Sequence, residues 1–458
     1  MKNRIVVFYI LFFFSTIFFG IEAINDNYRQ SYDNRKILPI DTKVTPQQMK
    51  KDIDYLVNIL KEVHPSTYSG FSDEQEKIIK NAYNKITQPM KVFDFYFILN
   101  EIICSIKDSH THLVFPSLTN YIFYDFPIIW LNDGIYALDN IYELKKGDKI
   151  LTINNKSSEE ILKELRKIIP SENDFWIKQN ARSILSSELY LGYLNLIDNG
   201  VIKLTIMRNN DIKTFNIKLQ KYKGIHKQKS DWISYKIDIS KNIGILKIKK
   251  CIYDEHYKEI LFKFFKDVSL NNIKNIVVDL RYNLGGNSLV TDEFLKYIDI
   301  EKYKTYGAEI RFSKPVEKQR KIYGTGYKKY LPSIQLNEKI EDKSLLFKGK
   351  IYVLISGKTY SSGNWFAAVL GDNNIAMLVG EPTGNKPSHY GDILYFQTPE
   401  VGIPFTVSFK RFIRPDTSKN DEDALYPDIT VFTTINDIIN KRNPQLEKVI
   451  EIINSSQK

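Results

Sequence analysis

Residues 350–391 read KIYVLISGKTYSSGNWFAAVLGDNNIAMLVGEPTGNKPSHYG, and this stretch decides the fold. The apolar run 351–355, ended by Gly357, predicts a buried strand. Ser361 and Ser362 then open an amphipathic segment that predicts a helix. Hydroxyl groups at a helix N-terminus lie at the positive end of the helix dipole, among backbone N–H groups that have no intrahelical partner. Such a place stabilises a developing oxyanion and therefore suits a nucleophilic serine.

The same hydroxyl residues have an ordinary structural role to set beside the catalytic one. Thr359, Ser361 and Ser362 belong to the residue types that are preferred at helix N-caps. On the local sequence alone, helix capping is the favoured interpretation.

The stretch resembles the active-site segment of the S41 serine peptidases, the family of tail-specific (C-terminal processing) and tricorn-like proteases. In that family the nucleophile lies in a run of small hydroxyl residues before a helix, and a Gly-Glu-Pro-Thr turn carrying a lysine follows. Gly380–Thr383 matches that turn, and 386 − 361 = 25 residues place Lys386 at the family lysine when Ser361 is the nucleophile. The resemblance therefore implies that Ser361, rather than Ser362, is the nucleophile.

Residues 275–288 read NIVVDLRYNLGGNS and resemble a second motif of the family, a strand followed by Asp-Leu-Arg and a glycine-rich turn. The apolar residues predict a buried parallel strand, and the paired glycines allow a close backbone approach, as an oxyanion hole requires. The resemblance implies that the N–H of Gly286 or of its neighbour joins the Ser362 N–H in that hole. By itself the motif also fits a simple turn that leaves Arg281 on the surface.

Peptide hydrolysis by a serine needs a base that removes the hydroxyl proton and later protonates the leaving amine. The resemblance offers two candidates. Lys386 matches the tail-specific pattern, in which burial keeps the amine neutral. His110, in the Asp-x-His-Thr sequence 108–111, matches the base of the tricorn-like branch, whereas His112 does not. A histidine just after a helix is also an ordinary turn residue. We favour His110 as the base, with Lys386 as a supporting cation.

Three adjacent acids, Asp421, Glu422 and Asp423, lie about where the tricorn-like branch has its orienting acid. Such a run is also typical of a solvated loop. His389 is near enough to Lys386 in sequence to be a substrate contact.

The N-terminus has the pattern of a secretory signal. Lys2 and Arg4 precede an apolar run, 5–20, and residues 1–23 end in an alanine suited to cleavage. The run is short for a membrane span, although an uncleaved anchor also fits. We therefore expect an exported protein (periplasmic, extracellular or associated with the cell envelope) that meets a membrane only through this segment.

Composition indicates a globular protein of two or three domains, because 43% of the 458 residues are hydrophobic. The net charge is +11, but the lysines are spread along the chain, so we expect a solvated basic surface and no nucleic-acid partner. Cys104 and Cys251 are the only cysteines. We therefore expect no disulfide framework, and we expect both cysteines to be buried thiols.

The chain is predicted to divide into successive segments. Residues 24–44 are polar and predict a flexible lead-in, and 45–118 predict a helical unit that starts at Thr45 with a hydroxyl cap and a glutamine at the third position. Residues 119–222 change to short strands, and LKKGDKILTINN at 144–155 resembles an element of PDZ domains, which bind extended peptides.

Residues 231–458 alternate strands with helices, which predicts an α/β unit with a mainly parallel sheet. The resemblance implies that this unit is a crotonase/ClpP-like βα superhelical catalytic core. The Lys- and Tyr-rich residues 300–348 have weak periodicity and predict a mobile insertion near the cleft.

These observations together predict an exported serine endopeptidase that acts on proteins or peptides through an acyl-enzyme on Ser361, without a metal or cofactor. The alternative is a catalytically inactive peptide-binding protein of the same fold. An acyl-CoA enzyme of the wider crotonase fold is disfavoured by the signal segment and by the spacing of Ser361 and Lys386.

Overall fold

The computed structural model describes residues 37–115, 122–221 and 231–455, and the predicted signal peptide lies outside them. The chain divides into two compact units. The described residues of the first unit fall within 1–227, 310–328 and 390–411, and those of the second within 228–309, 329–389 and 412–458. Each unit is therefore built from separate stretches of the chain.

The helices of the described residues are α1 (Pro46–Val63), α2 (Asp73–Lys85), α3 (Val92–Cys104), α4 (Ser158–Leu165), α5 (Asp174–Leu185), α6 (Glu188–Tyr193), α7 (Glu255–Leu270), α8 (Leu289–Leu295), α9 (Lys314–Arg320), α10 (Ser362–Asp372), α11 (Ile435–Ile439) and α12 (Pro444–Ser455).

The strands are β1 (Lys43–Val44), β2 (Met90–Lys91), β3 (Ile128–Leu131), β4 (Gly134–Ala137), β5 (Lys149–Ile153), β6 (Lys156–Ser157), β7 (Val201–Arg208), β8 (Asp211–Lys218), β9 (Ile233–Asp238), β10 (Ile243–Ile248), β11 (Asn275–Asp279), β12 (Lys302–Lys304), β13 (Gly307–Arg311), β14 (Tyr327–Tyr330), β15 (Ile334–Leu336), β16 (Lys350–Ile355), β17 (Met377–Gly380), β18 (Tyr390–Gln397), β19 (Pro404–Ile413) and β20 (Ile429–Thr430).

The helical part of the first unit begins as its sequence predicts. The Thr45 side chain accepts a hydrogen bond from the Gln48 N–H, and the Gln48 side chain accepts one from the Thr45 N–H, so the start of α1 is a capping box. The apolar faces of α1 and α3 share one hydrophobic core, which Leu56, Leu60, Phe95 and Leu99 help to fill.

The main sheet of the first unit is antiparallel. It has the order β3-β4-β5-β7-β8, and the hairpin between β7 and β8 turns at Asn209 and Asn210, both with positive φ. Strands β18 and β19 pair antiparallel, and Phe405, Val407 and Phe409 of β19 enter the same hydrophobic core.

The second unit is a three-layer α/β structure. Its sheet has the order β20-β17-β16-β11-β10-β9, and every neighbouring pair is parallel except β9 with β10. Successive residues of β11 face opposite layers: Ile276 and Val278 enter one core, and Val277 enters the other, which α12 covers with Val449. The predicted mainly parallel sheet is confirmed.

The Lys- and Tyr-rich residues 300–348 have more regular structure than their sequence predicts. They contain β12 to β15 and α9, and residues 310–328 of this stretch belong to the first unit. Val316 of α9 is buried in the core of the first unit. This stretch is thus held by tertiary packing, which weak local periodicity does not reveal.

Cys104 and Cys251 are free and buried, as expected. Among the described residues, no helix has both the length and the apolar character needed to span a bilayer.

Candidate active site

Three loops of the second unit follow neighbouring parallel strands, β11, β16 and β17. They carry, in turn, the glycine pair 285–286, the hydroxyl run 359–362 and the turn that contains Lys386. Because these strands are parallel, their carboxyl ends lie at one edge of the sheet. The motifs that the sequence singled out in this unit are therefore brought together.

Ser361 has an unusual backbone. It precedes α10 with φ 53° and ψ −125°, a region that residues with a side chain rarely adopt. Its N–H donates a hydrogen bond to Oδ1 of Asn385 (3.0 Å), beside Lys386 in the third loop. The surrounding structure thus holds the Ser361 side chain in a specific, strained position.

Helix capping is not the role of the three hydroxyl residues, so that local interpretation is wrong. The Ser361 side chain makes no capping hydrogen bond to α10. The Ser362 hydroxyl donates to the carbonyl oxygen of Gly286 (2.8 Å), and the Thr359 hydroxyl donates to that of Leu280 (2.9 Å). These bonds tie the hydroxyl run to the loop after β11.

The glycine pair packs directly against the hydroxyl run. A Cβ atom on Gly285 would lie 2.6 Å from Cβ of Ser361, and one on Gly286 would lie 2.2 Å from the carbonyl oxygen of Cys251. Both glycines have positive φ, 93° and 137°. Any side chain here would push the loop away from Ser361, so the close approach requires glycine.

Within the part of the chain that the structure describes, no hydrogen bond uses the backbone N–H of Gly286 or of Ser362. Gly286 forms a bridge with Cys251, but the two bonds of that bridge use the carbonyl oxygen of Gly285 and the N–H of Asn287. Ser362 is the first residue of α10, so its N–H has no acceptor inside the helix.

A buried amide network supports the turn that carries Lys386. Nδ2 of Asn364 donates to the carbonyl oxygen of Asn385 (2.6 Å) and lies within hydrogen-bond distance of its Oδ1 (3.1 Å). The Thr383 hydroxyl donates to the same carbonyl oxygen (2.9 Å). Asn364 and Asn385 are fully buried, whereas Lys386 is half-buried. The network fixes the turn after β17 and the Asn385 side chain that accepts the Ser361 N–H.

The remaining candidates of the second unit have structural partners. Nδ1 of His389 donates to the carbonyl oxygen of Pro387 (3.0 Å). Glu422 pairs with the buried guanidinium of Arg414 (2.6 Å), and Asp423 accepts a hydrogen bond from the Tyr426 hydroxyl (2.7 Å). Asp421, beside them, is exposed.

Arg281 is not a surface residue. Its guanidinium forms two hydrogen bonds with the carboxylate of Asp279 (2.9 and 2.8 Å) and two more with the side chains of Asn443 and Gln445. Burial raises the pKa of Asp279, but the hydrogen bonds and charge of Arg281 outweigh it and bring that pKa below its usual value. Arg281 therefore ties the end of β11 to the start of α12.

The first unit contains a separate polar cluster around Asp108, whose carboxylate is fully buried. Oδ1 accepts from the His110 N–H (2.9 Å) and lies 3.6 Å from His110 Nδ1, and Oδ2 accepts from Nε2–H of His64 (3.3 Å). The hydroxyls of Thr111 and Ser408 also donate to Oδ2 (2.6 and 2.7 Å).

These donors keep Asp108 ionised. Burial raises the pKa of Asp108, but the hydrogen bonds from His110 and His64 outweigh it, so the pKa lies well below its ordinary value. The tautomer of His64 follows from Ser66, whose N–H donates to Nδ1 (3.2 Å) and leaves the proton on Nε2.

Glu172 completes the cluster. It accepts a hydrogen bond from the Ser109 hydroxyl through Oε2 (2.6 Å), and one ligand atom from each of Asp108, His110 and Glu172 lies within 4.8 Å of the others. Burial and the negative charge of Asp108 raise the pKa of Glu172 to about 7. Burial lowers the pKa of His112, the charge of His110 lowers it further, and Nδ1 of His112 lies 3.2 Å from the His110 carbonyl oxygen.

Sequence analysis missed three members of these sites. Asp108 stood within the Asp-x-His-Thr sequence but received no role, and Asn385, next to Lys386, received none either. Glu172 lies in a segment with no recognisable motif. Only the position of Asp108, two residues before the candidate base, was a usable signal.

Comparison with known proteins gives the family. Residues 242–431 match the family model of peptidase family S41. The chain carries an S41 peptidase domain. The match supports a serine-type peptidase activity for this part of the chain. No curated protein matches the chain in sequence.

Solved structures show the same fold as this S41 peptidase. A structure of mature CPAF complexed with lactacystin is 17% identical, with a TM-score of 0.66, and the match covers 90% of this chain and 99% of that one. Mature CPAF alone is 16% identical, with a TM-score of 0.64 and the same coverage. A putative peptidase from Parabacteroides merdae is 15% identical, with a TM-score of 0.51, covering 90% of this chain and 97% of that one.

Proposed function

We propose that this protein is an exported serine endopeptidase that hydrolyses peptide bonds through an acyl-enzyme on Ser361. The observation that carries the proposal is the strained backbone of Ser361, which precedes α10 and is held between the glycine pair and Asn385 in the matched S41 region. Strain of this kind persists only where the surroundings impose it, and it concentrates at active sites.

In the proposed reaction, Oγ of Ser361 attacks the carbonyl carbon of the scissile peptide and its proton passes to a general base. The backbone N–H groups of Gly286 and Ser362 stabilise the negative oxygen of the tetrahedral intermediate. The base then gives the proton to the leaving amine as the C–N bond breaks. Water, deprotonated by the same base, releases the second product from Ser361.

His110 is our first candidate for the base. Its Nδ1 faces the ionised carboxylate of Asp108, which can hold the Nδ1–H tautomer and stabilise the imidazolium, so Nε2 would accept the serine proton. In this proposal Asp108 takes the orienting role that the sequence suggested for one of the acids 421–423. Glu422, one of those acids, already pairs with Arg414. Lys386, one residue beyond the Asn385 that binds Ser361, is the second candidate.

The parts of the chain have proposed roles in the same reaction. We propose that residues 119–222 form a PDZ-like module that binds extended substrate and that 231–458 form a crotonase/ClpP-like catalytic core. The antiparallel sheet of β3 to β8 and the parallel sheet of β10 to β17 support these assignments. Export rests on the secretory pattern of residues 1–23.

Hydrolysis of a fluorescently labelled casein by residues 24–458 tests the proposal. We expect Ser361→Ala to reduce turnover by at least about 10⁴-fold, because no other group forms the acyl-enzyme. Ser362→Ala is the matched control: it keeps the backbone N–H and should retain most activity. A folded wild-type protein that cleaves nothing but binds peptides would favour the inactive peptide-binding alternative.

A further inference from the structure

We propose that Asp108, His110 and Glu172 form a binding site for a single divalent transition-metal ion of the zinc class, and that the bound ion inhibits the enzyme by occupying His110. The proposed metal site rests on the cluster itself. The proposed inhibition rests on the proposed function, because it takes His110 as the general base.

The spacing of the three side chains suits one small cation. One ligand atom from each residue lies within 4.8 Å of the other two. Zinc binds nitrogen and carboxylate oxygen at about 2.0–2.2 Å in tetrahedral geometry, so two of its ligand atoms lie roughly 3.3–3.6 Å apart. Side-chain rotations that move the ligand atoms by about 1 Å therefore bring all three groups to one ion.

An unsatisfied oxygen points to a ligand at this place. Oε1 of Glu172 is buried and accepts no hydrogen bond within the described residues. Its other oxygen is held by the Ser109 hydroxyl (2.6 Å), which fixes the carboxylate beside Asp108 and His110. Buried carboxylate oxygens are normally paired, and a bound cation would satisfy this one.

The charges of the cluster favour a cation. Asp108 and Glu172 each bring a carboxylate oxygen to within 4.8 Å of the other and of a ring nitrogen of His110. A divalent ion between the two carboxylates is attracted by both. The ligand atoms indicate the kind of metal ion. One imidazole nitrogen with two carboxylates suits zinc and neighbouring transition metals, whereas magnesium and calcium prefer oxygen ligands alone.

The site is also preorganised. The Asp108 carboxylate is held by the hydroxyls of Thr111 and Ser408 and by Nε2–H of His64, contacts of the kind that orient metal ligands. All three of these contacts are made to Oδ2, whereas Oδ1 is the oxygen that lies 3.6 Å from Nδ1 of His110.

Metal binding would remove the base whichever nitrogen of His110 takes part. A neutral imidazole has one lone pair and one N–H, and coordination uses the lone pair. The other nitrogen keeps its proton, so neither nitrogen accepts one from a serine. The ion thus acts as an inhibitor and not as a catalytic cofactor.

Calorimetric titration of zinc into chelator-stripped residues 24–458 tests the site independently of activity. We expect one equivalent to bind, with an affinity at least tenfold weaker in Glu172→Gln. Glu159→Gln, which removes an exposed carboxylate of α4, should bind as the wild type does. Replacement of zinc by cobalt gives a second readout, because cobalt(II) with four or five ligands absorbs visible light more strongly than hydrated cobalt, and this band should weaken in Glu172→Gln.

The outcomes test metal binding and inhibition separately. A wild type that binds no zinc, or a folded Glu172→Gln variant that binds as tightly as wild type, overturns the site. One equivalent bound at this cluster without loss of casein hydrolysis overturns the inhibition. If the wild type cleaves nothing even without metal, the proposed function fails while the binding result still decides the site.

Discussion

At the scale of single residues, the proposed catalysis depends on how the backbone of Ser361 is held. A side-chain-bearing residue at φ 53° and ψ −125° costs roughly 1–3 kcal/mol, and Asn385 contributes to offsetting that cost by accepting the Ser361 N–H. Asn385 is itself fixed by Asn364, and both amides are fully buried. Asn385 is therefore a positioning residue for the nucleophile.

Asn385→Ala should lower kcat about 10- to 100-fold with little change in KM, since a small displacement of a nucleophile costs rate more than binding. Asn216→Ala, at an exposed position of β8, is the control and should change neither constant. Equal loss in kcat and in unfolding temperature for both variants would show that Asn385 has no special role.

A second residue-scale prediction concerns Arg281. The folded-state pKa of Asp279 is lowered, so its stabilising contribution is present above its unfolded pKa of about 4 and is lost as pH falls through the folded value. Arg281→Gln removes the groups that lower this pKa and leaves burial, which raises it. The acid unfolding midpoint should therefore move to higher pH.

Arg442→Gln provides the comparison, because Arg442 also pairs with an acid but its side chain is 58% exposed. Exposed pairs contribute little, so its midpoint should stay close to that of the wild type. Acid titration followed by circular dichroism measures both variants, and an unchanged midpoint in Arg281→Gln would contradict the assignment.

At the scale of elements, the loop after β11 is the most constrained part of the second unit. Gly286→Ala places a Cβ 2.2 Å from the Cys251 carbonyl oxygen at φ 137°. We expect a loss of at least about 2 kcal/mol in the free energy of unfolding, together with loss of hydrolysis as the oxyanion N–H moves.

Gly192→Ala is the opposite case. Gly192 lies within α6, and an added Cβ there meets nothing within 4 Å. The substitution should stabilise the protein by roughly 0.5–1 kcal/mol, since alanine favours the helix. Thermal unfolding distinguishes the two variants, and similar shifts for both would mean that the loop tolerates side chains.

Elements with strong local signals could be predicted from the sequence. The capping box at Thr45 and the hairpin turn at Asn209 express interactions between near neighbours, and strand β11 is indicated by its own apolar run. The backbone conformation of Ser361 could not, because local propensity favours a helix cap while the neighbouring loops impose a strained geometry. Residues 300–348 also formed strands and a helix that their weak periodicity did not indicate.

At the scale of the whole molecule, the two units are interleaved along the chain. The core of the first unit takes Phe405, Val407 and Phe409 from β19, far from its other members in sequence. In the same way Ser408 bonds to Asp108 across 300 residues. Such long-range partners, and the approach of Glu172 to Asp108, follow from the tertiary fold and leave no local pattern to detect.

This interleaving predicts that residues 24–227 do not fold alone. Removal of the buried Phe405 and Phe409 costs about 3–5 kcal/mol each, which rivals the entire stability of a domain. The fragment should lack a cooperative thermal transition, whereas residues 24–458 should show one. A cooperative transition in the fragment would mean that β18 and β19 are dispensable.

The central claim is that Ser361 is an activated nucleophile, and reaction with a fluorophosphonate probe tests it most directly. Mass spectrometry of the labelled protein should find one adduct, on the peptide that contains Ser361, and Ser361→Ala should abolish it. Comparison of His110→Ala with Lys386→Ala then identifies the base as the variant that also loses labelling. A folded wild-type protein that is never labelled, or an adduct on Ser362, would contradict the account.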